Sequence, residues 1–520
     1  MDARHLLPVL RPAFILRSAT TAVLAAGFAF SLSSAVVTRR PNPAPRRAQT
    51  ARDVVLASAE AIGGIDRLRA LRGVRVEEVG SEYLVSTITR GDAPPRVISE
   101  TVTTLRSGND SVLRRTLVQA VPMRAGRFTT TTIVNRGVPA AIRGTALVTG
   151  ANVDLTTASE ELALSPERVL LTALDARDLR LGRDTVLGGI THRVVSLGLD
   201  GAPVRLFIDA ESAFPTRVEL VRAYPSYVFW AMWGDMRFAT TWSAWTLERR
   251  GVRYPRQRST TLNGEPFREL VVTALDPDSD VPADSVAIPD SVRVAFASRL
   301  GAERAATGRR PNVKLTPVDL ADGVVLYQGG YQSAAVRQRD GIVIIEAPES
   351  NAKSRAVLAD VATRWPGMKA VINTSPMWMH AGGLREYAAR GIPIYVTDVG
   401  TPVVQALLAA PHAQAPDSLA KAHTQPTVRS VSRALTLGTG DERLELRPAR
   451  GQHSAAMMLV WLPARRLLYA SDVVIPDAFE PVCSGAYRAE LARLVKREGL
   501  DVERVFSEHL PATRWADLAR

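Results

Sequence analysis

The sequence predicts an α+β chain. A mainly antiparallel β domain, forming a curved sheet or half-barrel, is followed by a domain of two sheets with helices on their outer faces, an αββα sandwich. Three observations predict it. After Leu71, β-branched and alternating segments recur between Gly, Pro, Asn and Asp turns, with few helical stretches among them. From Val318 onward, strand-like and helix-like segments alternate instead. The length of 520 residues, with 46% hydrophobic and 22% charged content, exceeds what one core fills and gives two folded domains plus a terminal segment.

Residues 1–50 begin with Arg4, Arg11 and Arg17, continue through an uncharged apolar run from Ser18 to Thr38, and end among Pro41, Pro43, Pro45, Arg46 and Arg47. A basic start before an apolar run reads as a signal peptide or an N-terminal membrane anchor, with a Pro/Arg-rich linker behind it. Ser33-Ser34-Ala35 offers a cleavage site. Export to the periplasm or cell envelope is the expectation, with anchoring to the inner membrane as the other form.

Residues 51–294 make the first folded domain. Helices are expected over VVLASAEAIGG and from Ile65 to Leu71. Strands follow at Ser86 to Arg90, Val112 to Val118, Thr129 to Val134, His192 to Leu197, Val204 to Ile208, Thr216 to Val221 and Phe267 to Thr273, interrupted by a helix from Glu160 to Leu174. Tyr224 to Trp233 is unusually aromatic. It reads as a lipid-touching loop or the wall of a hydrophobic-ligand site, with Trp230 and Trp233 as contacts, or else as core packing. Residues 295–315, small and charged, are the expected linker.

Residues 316–520 make the second domain. Strands are expected at Gly323 to Gln328, Ala334 to Gln338, Gly341 to Glu346, Ala370 to Asn373, Ile392 to Val396, Glu442 to Arg447, Ala456 to Leu462, Arg466 to Ala470 and Val502 to Phe506. Helices are expected at Ala352 to Arg364, Gly383 to Arg390, Thr401 to Ala409 and Tyr487 to Arg497.

The net charge is +13, and arginine carries nearly all of the positive charge. The basic residues are spread along the chain and not gathered into stripes with aromatics, so nucleic acid is not an expected partner. Cys483 is the sole cysteine, which excludes an intrachain disulfide and a cysteine-based zinc cluster. It reads as a free thiol, with redox chemistry as a minor option. Of the seven histidines, His380, His453 and His509 fall at strand or loop ends of the second domain. Together with Asp472 they are suitable ligands for zinc or iron.

The stretch Val371 to Arg385, VINTSPMWMHAGGLR, resembles the first metal motif of the metallo-β-lactamase superfamily, a strand followed by T-H-x-H-x-D-H-x-G-G. Ser375 and Met377 stand where two histidines belong, Met379 stands where the aspartate belongs, and His380 matches. Gly330-Tyr331 resembles the early substrate-facing turn, Gly341 to Glu346 the next strand, and Gly451-Gln452-His453 the third histidine motif. Leu467 to Asp472 resembles the hairpin with the bridging aspartate, and Glu508-His509 the final histidine motif. The resemblance implies a first metal site emptied by Ser375 and Met377. It implies a second that keeps His380, Asp472 and His509, and so one zinc or iron ion at most, or none. Trp378 and Tyr331 are candidates for ligand contact. The region from Ala51 to Arg293, with AIGGIDRLRAL and Gly234-Asp235-Met236, resembles LolA-like lipoprotein-carrier half-barrels, which hold apolar ligands. Two functional readings stand open. One is a hydrolase-like protein with a degenerate, at most mononuclear site; the other is a non-catalytic envelope module binding a small-molecule or lipid-like ligand.

Overall fold

Continuous apolar strands fix the layers of the second half of the chain, because successive side chains point to opposite faces and both faces must then be covered. The computed structural model describes residues 49–84, 96–107, 109, 111–120, 126–306, 313–451, 454–474 and 484–518. The expected signal or anchor segment, the strand at Ser86 to Arg90, His453 and Cys483 lie outside them.

Residues 49–520 form one compact unit. Its first part is a 14-stranded sheet that is antiparallel throughout. Strand Val74–Leu84 is central, pairing with Arg96–Ser107 on one side and Glu265–Asp276 on the other. From there the sheet runs out to Ala146–Thr149 in one direction, and through Arg253–Leu262, Asp235–Leu247, Pro215–Ala223 and Ala202–Asp209 to Ile190–Leu199 in the other. One face of the central strands encloses a cavity of about 200 Å³ together with residues between Thr157 and Pro166. Ion pairs stand on this face: buried Arg106 with Glu167, and the half-buried arginines Arg258 with Glu78 and Arg268 with Glu82 and Glu100.

The helix expected from Glu160 to Leu174 is two helices, Asn152–Ala163 and Val169–Asp175. Pro166 accounts for the break: it lacks an N–H and disfavours helical geometry in the residue before it. Residues assigned to the linker include most of helix Asp290–Ala306. That helix sends Val292 into a small core with Val112, Ile133 and Ala140.

A seven-stranded sheet follows. Thr316–Ala321, Val324–Gln328, Ser333–Gln338 and Gly341–Ile345 are antiparallel neighbours, and Met368–Ile372, Ile394–Thr397 and Val428–Val431 then add in parallel. Parallel pairing needs crossover connections, which here carry helices Asn351–Arg364, Leu384–Ala388 and Thr401–Ala409. A six-stranded sheet from Leu435–Leu437 to Thr513–Arg514 completes the chain, with helix Ser484–Arg497 crossing between parallel strands Leu467–Tyr469 and Arg504–Phe506.

Val325, Tyr327, Ile342 and Ile344 pack under the helices of the seven-stranded sheet, whereas Val324, Leu326, Val343 and Ile345 pack against the other sheet. Met458, Val460 and Leu462 face inward toward them, and Met457, Leu459 and Trp461 face Leu491, Leu494 and Val495 of the last long helix. The layers are therefore helix, sheet, sheet, helix. Among the described residues no helix is long and apolar enough to cross a membrane.

Candidate metal centre

Loops at the carboxyl ends of parallel strands are where side chains from several strands converge, and four such ends meet here. Gly341–Ile345 runs into Glu346, whose φ of 71° is rare for a residue with a side chain. Met368–Ile372 leads through Asn373, Thr374 and Ser375 to the short helix Trp378–Ala381 that carries His380. Leu467–Tyr469 ends in the helical turn Ser471–Val473 carrying Asp472, and Arg504–Phe506 ends at Ser507, Glu508 and His509. The last turn is tied down locally. Ser507 Oγ accepts from the His509 and Leu510 N–H groups, and Gln332 N–H donates to the Glu508 carbonyl at 2.9 Å.

Glu346, His380, Asp472 and Glu508 are fully buried, and the His509 side chain is 7% exposed. His380 Nε2 lies 3.0 Å from Asp472 Oδ2 and 3.5 Å from Glu508 Oε1. His509 Nε2 lies 3.6 Å from Asp472 Oδ1 and 3.2 Å from the same Glu508 oxygen. On the far side of the ring, His380 Nδ1 lies 3.1 Å from Glu346 Oε1. Neither ring nitrogen of His380 meets these oxygens along a hydrogen-bond direction, close as they are.

Those separations test whether a metal fits. Donors about 2.1 Å from a zinc ion at tetrahedral angles stand about 3.4 Å from one another. His380, Asp472 and Glu508 each offer a donor within 4.8 Å of the others, with His380 Nε2 at that spacing from both carboxylates. His509 Nε2 stands 3.2 Å from Glu508 Oε1 and 3.6 Å from the other Asp472 oxygen, on the edge of this group. An imidazole with two carboxylates, and a second imidazole beside them, is a fitting set for zinc or iron. Charge leads to the same place. Three buried carboxylates around one buried imidazole would leave uncompensated negative charge, which is costly unless a cation is present.

The chain's own groups respond to this crowding. Burial opposes the charged form of His380, but Asp472, Glu508 and Glu346 together outweigh it and hold its pKa well above the ordinary value. Burial pushes Glu508 well above the usual carboxylate range, with Asp472 and Glu346 adding to the effect and His380 opposing it. Glu346 accepts from Thr374 N–H at 3.2 Å, from the Thr374 hydroxyl, and from Asn373 Nδ2 at 3.4 Å. Tyr469 donates its hydroxyl to Glu508 Oε2 at 3.2 Å, leaving Oε1 toward the histidines.

The structure thus brings together three residues of the sequence-based set, His380, Asp472 and His509, and adds Glu508, with Glu346 behind His380. Glu508 was visible only as the residue before a candidate histidine. Ser375 is buried, and its hydroxyl has no hydrogen-bond partner among the described residues. Met377 and Met379 are half-buried at the start of the His380 helix.

Trp378 and Tyr331 stand beside the cluster. Their rings are 4.9 Å apart, and Tyr331 is 5.1 Å from the His509 ring. Trp230 lines the cavity of the first sheet, where it meets Tyr224 and Phe238 edge-on. Trp233 packs between that group and the helical face of the seven-stranded sheet.

No family model and no curated protein matches the sequence. Among solved structures, the chain is similar to a metallo-beta-lactamase from Pontibacter korlensis at 16% identity, with a TM-score of 0.32 over 40% of this chain and 96% of that one. It is likewise similar to DIM-1 metallo-beta-lactamase at 14% identity, with a TM-score of 0.32 over 40% of this chain and 94% of that one.

Proposed function

We propose that residues 316–520 are a metallo-β-lactamase-like domain with a degenerate, mononuclear metal site, and that the protein is hydrolase-like and exported. The observation that carries this reading is the buried group of His380, Asp472 and Glu508, whose donors lie within 4.8 Å of one another, with His509 Nε2 3.2 to 3.6 Å from the two carboxylates. A zinc or iron ion, when bound, supplies Lewis-acid polarisation of a scissile carbonyl or ester group. Asp472 and Glu508 match the charge of a divalent ion. Glu346 places a negative charge 3.1 Å behind the His380 ring, and the Tyr469 hydroxyl orients Glu508. The thioether of Met379 accepts no proton, so proton uptake from an attacking water falls to a carboxylate already engaged in the cluster. Turnover is therefore expected to be slow. Elemental measurement on purified protein tests the reading: one tightly held equivalent per chain is expected, and two would overturn it. Ester or lactam turnover, where found, is expected to vanish in His509→Ala.

The cavity of the first sheet favours a second reading, in which residues 51–294 are a LolA-like half-barrel and the protein is an envelope module for an apolar or lipid-like ligand. Trp230, Tyr224, Phe238 and Phe267 on its wall support that reading. Mass spectrometry of an organic extract of the purified protein tests it: a stoichiometric co-purifying amphiphile supports it, and its absence together with metal-dependent turnover counts against it.

A further inference from the structure

The geometry points to a subsite for a flat apolar group beside the candidate metal centre, built jointly by the first sheet and the two-sheet part, so that the favoured substrate is an aryl-bearing ester, amide or lactam. The placement of the scissile group rests on the metal reading above; the apolar subsite itself does not.

Phe229, on the short helix Val228–Ala231 of the aromatic turn, is 48% exposed. Its ring lies 4.8 Å from that of Trp378 at 61°. Trp378 lies 4.9 Å from Tyr331 at 82°, and Tyr331 lies 5.1 Å from His509 at 71°. A continuous run of edge-to-face rings therefore leads from solvent to a residue of the metal cluster. Half-buried Met377 and Met379 flank Trp378 in sequence. No lysine or arginine belongs to the run, so it suits an uncharged flat group over an anionic one, and stacking on such rings adds to simple burial.

Both ends of the run are held in place. Three residues beyond Phe229 in the turn, Met232 is 4% exposed in the core beneath the helices of the seven-stranded sheet. Asp235 N–H donates to the Pro411 carbonyl at 2.7 Å. At the other end, Glu349 accepts from Tyr331 N–H at 2.7 Å, and buried Lys353 donates to the carbonyls of Gly329 and Tyr331. A preformed aromatic wall binds without the entropy cost of ordering it.

Binding of 2-naphthol, which needs no metal, reads the aromatic run alone. Calorimetric titration is expected to show binding to the wild type, a loss of about five- to tenfold in F229A as one wall is removed, and recovery in F229Y. Equal affinity of F229A and wild type, or no binding to the wild type, overturns the inference. F229L, which removes the ring but keeps an apolar side chain, serves the same test if F229A does not fold. The chelating probe 2-naphthohydroxamic acid, compared with acetohydroxamic acid on metal-loaded protein, separates the two readings. A naphthyl advantage lost in F229A supports the joint subsite. Naphthol binding without any gain from the hydroxamate overturns the metal reading and leaves the aryl subsite standing.

Discussion

The imidazole of His380 is held between Glu346 on one side and Asp472 with Glu508 on the other, all fully buried. A carboxylate charge behind a metal-binding histidine raises its basicity, so Glu346→Gln is expected to weaken zinc binding by about 10-fold, the low end of the effect of a hydrogen-bonded partner. Glu508→Gln replaces a charged donor by a weak neutral one and removes half the compensating charge, and is expected to weaken binding more. Competition with a chromophoric chelator, with circular dichroism as a check on folding, measures both. Affinities of both variants equal to the wild type would mean that the cluster is a buried ion-pair network and not a metal site. Three residues of this cluster were legible in the sequence because each sits in an ordered motif. Glu508 was not, since a glutamate beside a histidine looks like any surface charge. Only the folded chain buries it, under Gln332 and against Tyr469. The position of Glu346 was legible at the end of an apolar strand, but its backbone turn and its contact with His380 were not.

At the scale of elements, the region after the His380 helix is tied by Arg385, which is 3% exposed. Its guanidinium donates to both Asp417 oxygens, at 2.5 and 3.1 Å, and to the carbonyls of Leu407 and Leu408 at the end of helix Thr401–Ala409. Asp417 also caps helix Ser418–Ala422 by accepting from Ala420 N–H at 3.0 Å. Burial alone would raise the Asp417 pKa, but hydrogen bonds from Arg385 and Ala420, with the Arg385 charge, bring it down from 3.8 to about 2. A depressed carboxylate stabilises the fold above its unfolded pKa and loses that contribution as pH falls toward the folded value. Asp417→Asn is therefore expected to cost about 2 kcal/mol at neutral pH, with the difference from wild type shrinking between about pH 4 and pH 2. Urea denaturation across that range checks it, and a pH-independent difference would sink the assignment. The apolar strands of the two-sheet part, such as Val324–Gln328, Gly341–Ile345 and Met457–Leu462, were legible as elements because they are short uninterrupted apolar runs, buried on both faces, whereas Val428–Val431, with Arg429 and Ser430 exposed, was not. Strand Val74–Leu84 was not singled out, because VRVEEVGSEYL puts Glu78 at a buried position where Arg258 neutralises it. A buried carboxylate paired with a half-buried arginine reads in sequence as a solvated face. The same holds for Arg96–Ser107, where Glu100 and Arg106 are buried with partners.

At the scale of the whole molecule, the first sheet and the two-sheet part meet where the aromatic turn enters strand Asp235–Leu247. Asp235 is 8% exposed, and its carboxylate accepts from Ala413 N–H at 2.8 Å and Gln414 N–H at 3.1 Å. Gln414 in turn accepts from Ala223 N–H at 3.0 Å and donates to the Val221 carbonyl at 2.9 Å. Backbone groups of each part are thus satisfied by the other, and leaving one orphaned costs about 1 to 3 kcal/mol. Gly234 makes the approach possible: its φ is +63°, and a Cβ there would stand 2.1 Å from the Pro411 carbonyl oxygen. That oxygen is backbone and cannot swing aside as a side-chain tip can, so Gly234→Ala has to push the two parts away from each other. Both the positive φ and the lost hydrogen bonds of Asp235 act in the same direction. Chains of this size commonly unfold part by part, so it is this contact that is expected to hold the wild type to a single calorimetric transition. Gly234→Ala is expected to split it, with the weaker part melting first, and to reduce 2-naphthol binding because Phe229 no longer reaches Trp378. Asp235→Ala should do the same to a smaller extent, since it removes hydrogen bonds without adding a clash. One unsplit transition at the wild-type temperature in Gly234→Ala would show that this contact does not couple the two parts, and the joint subsite would then need another anchor.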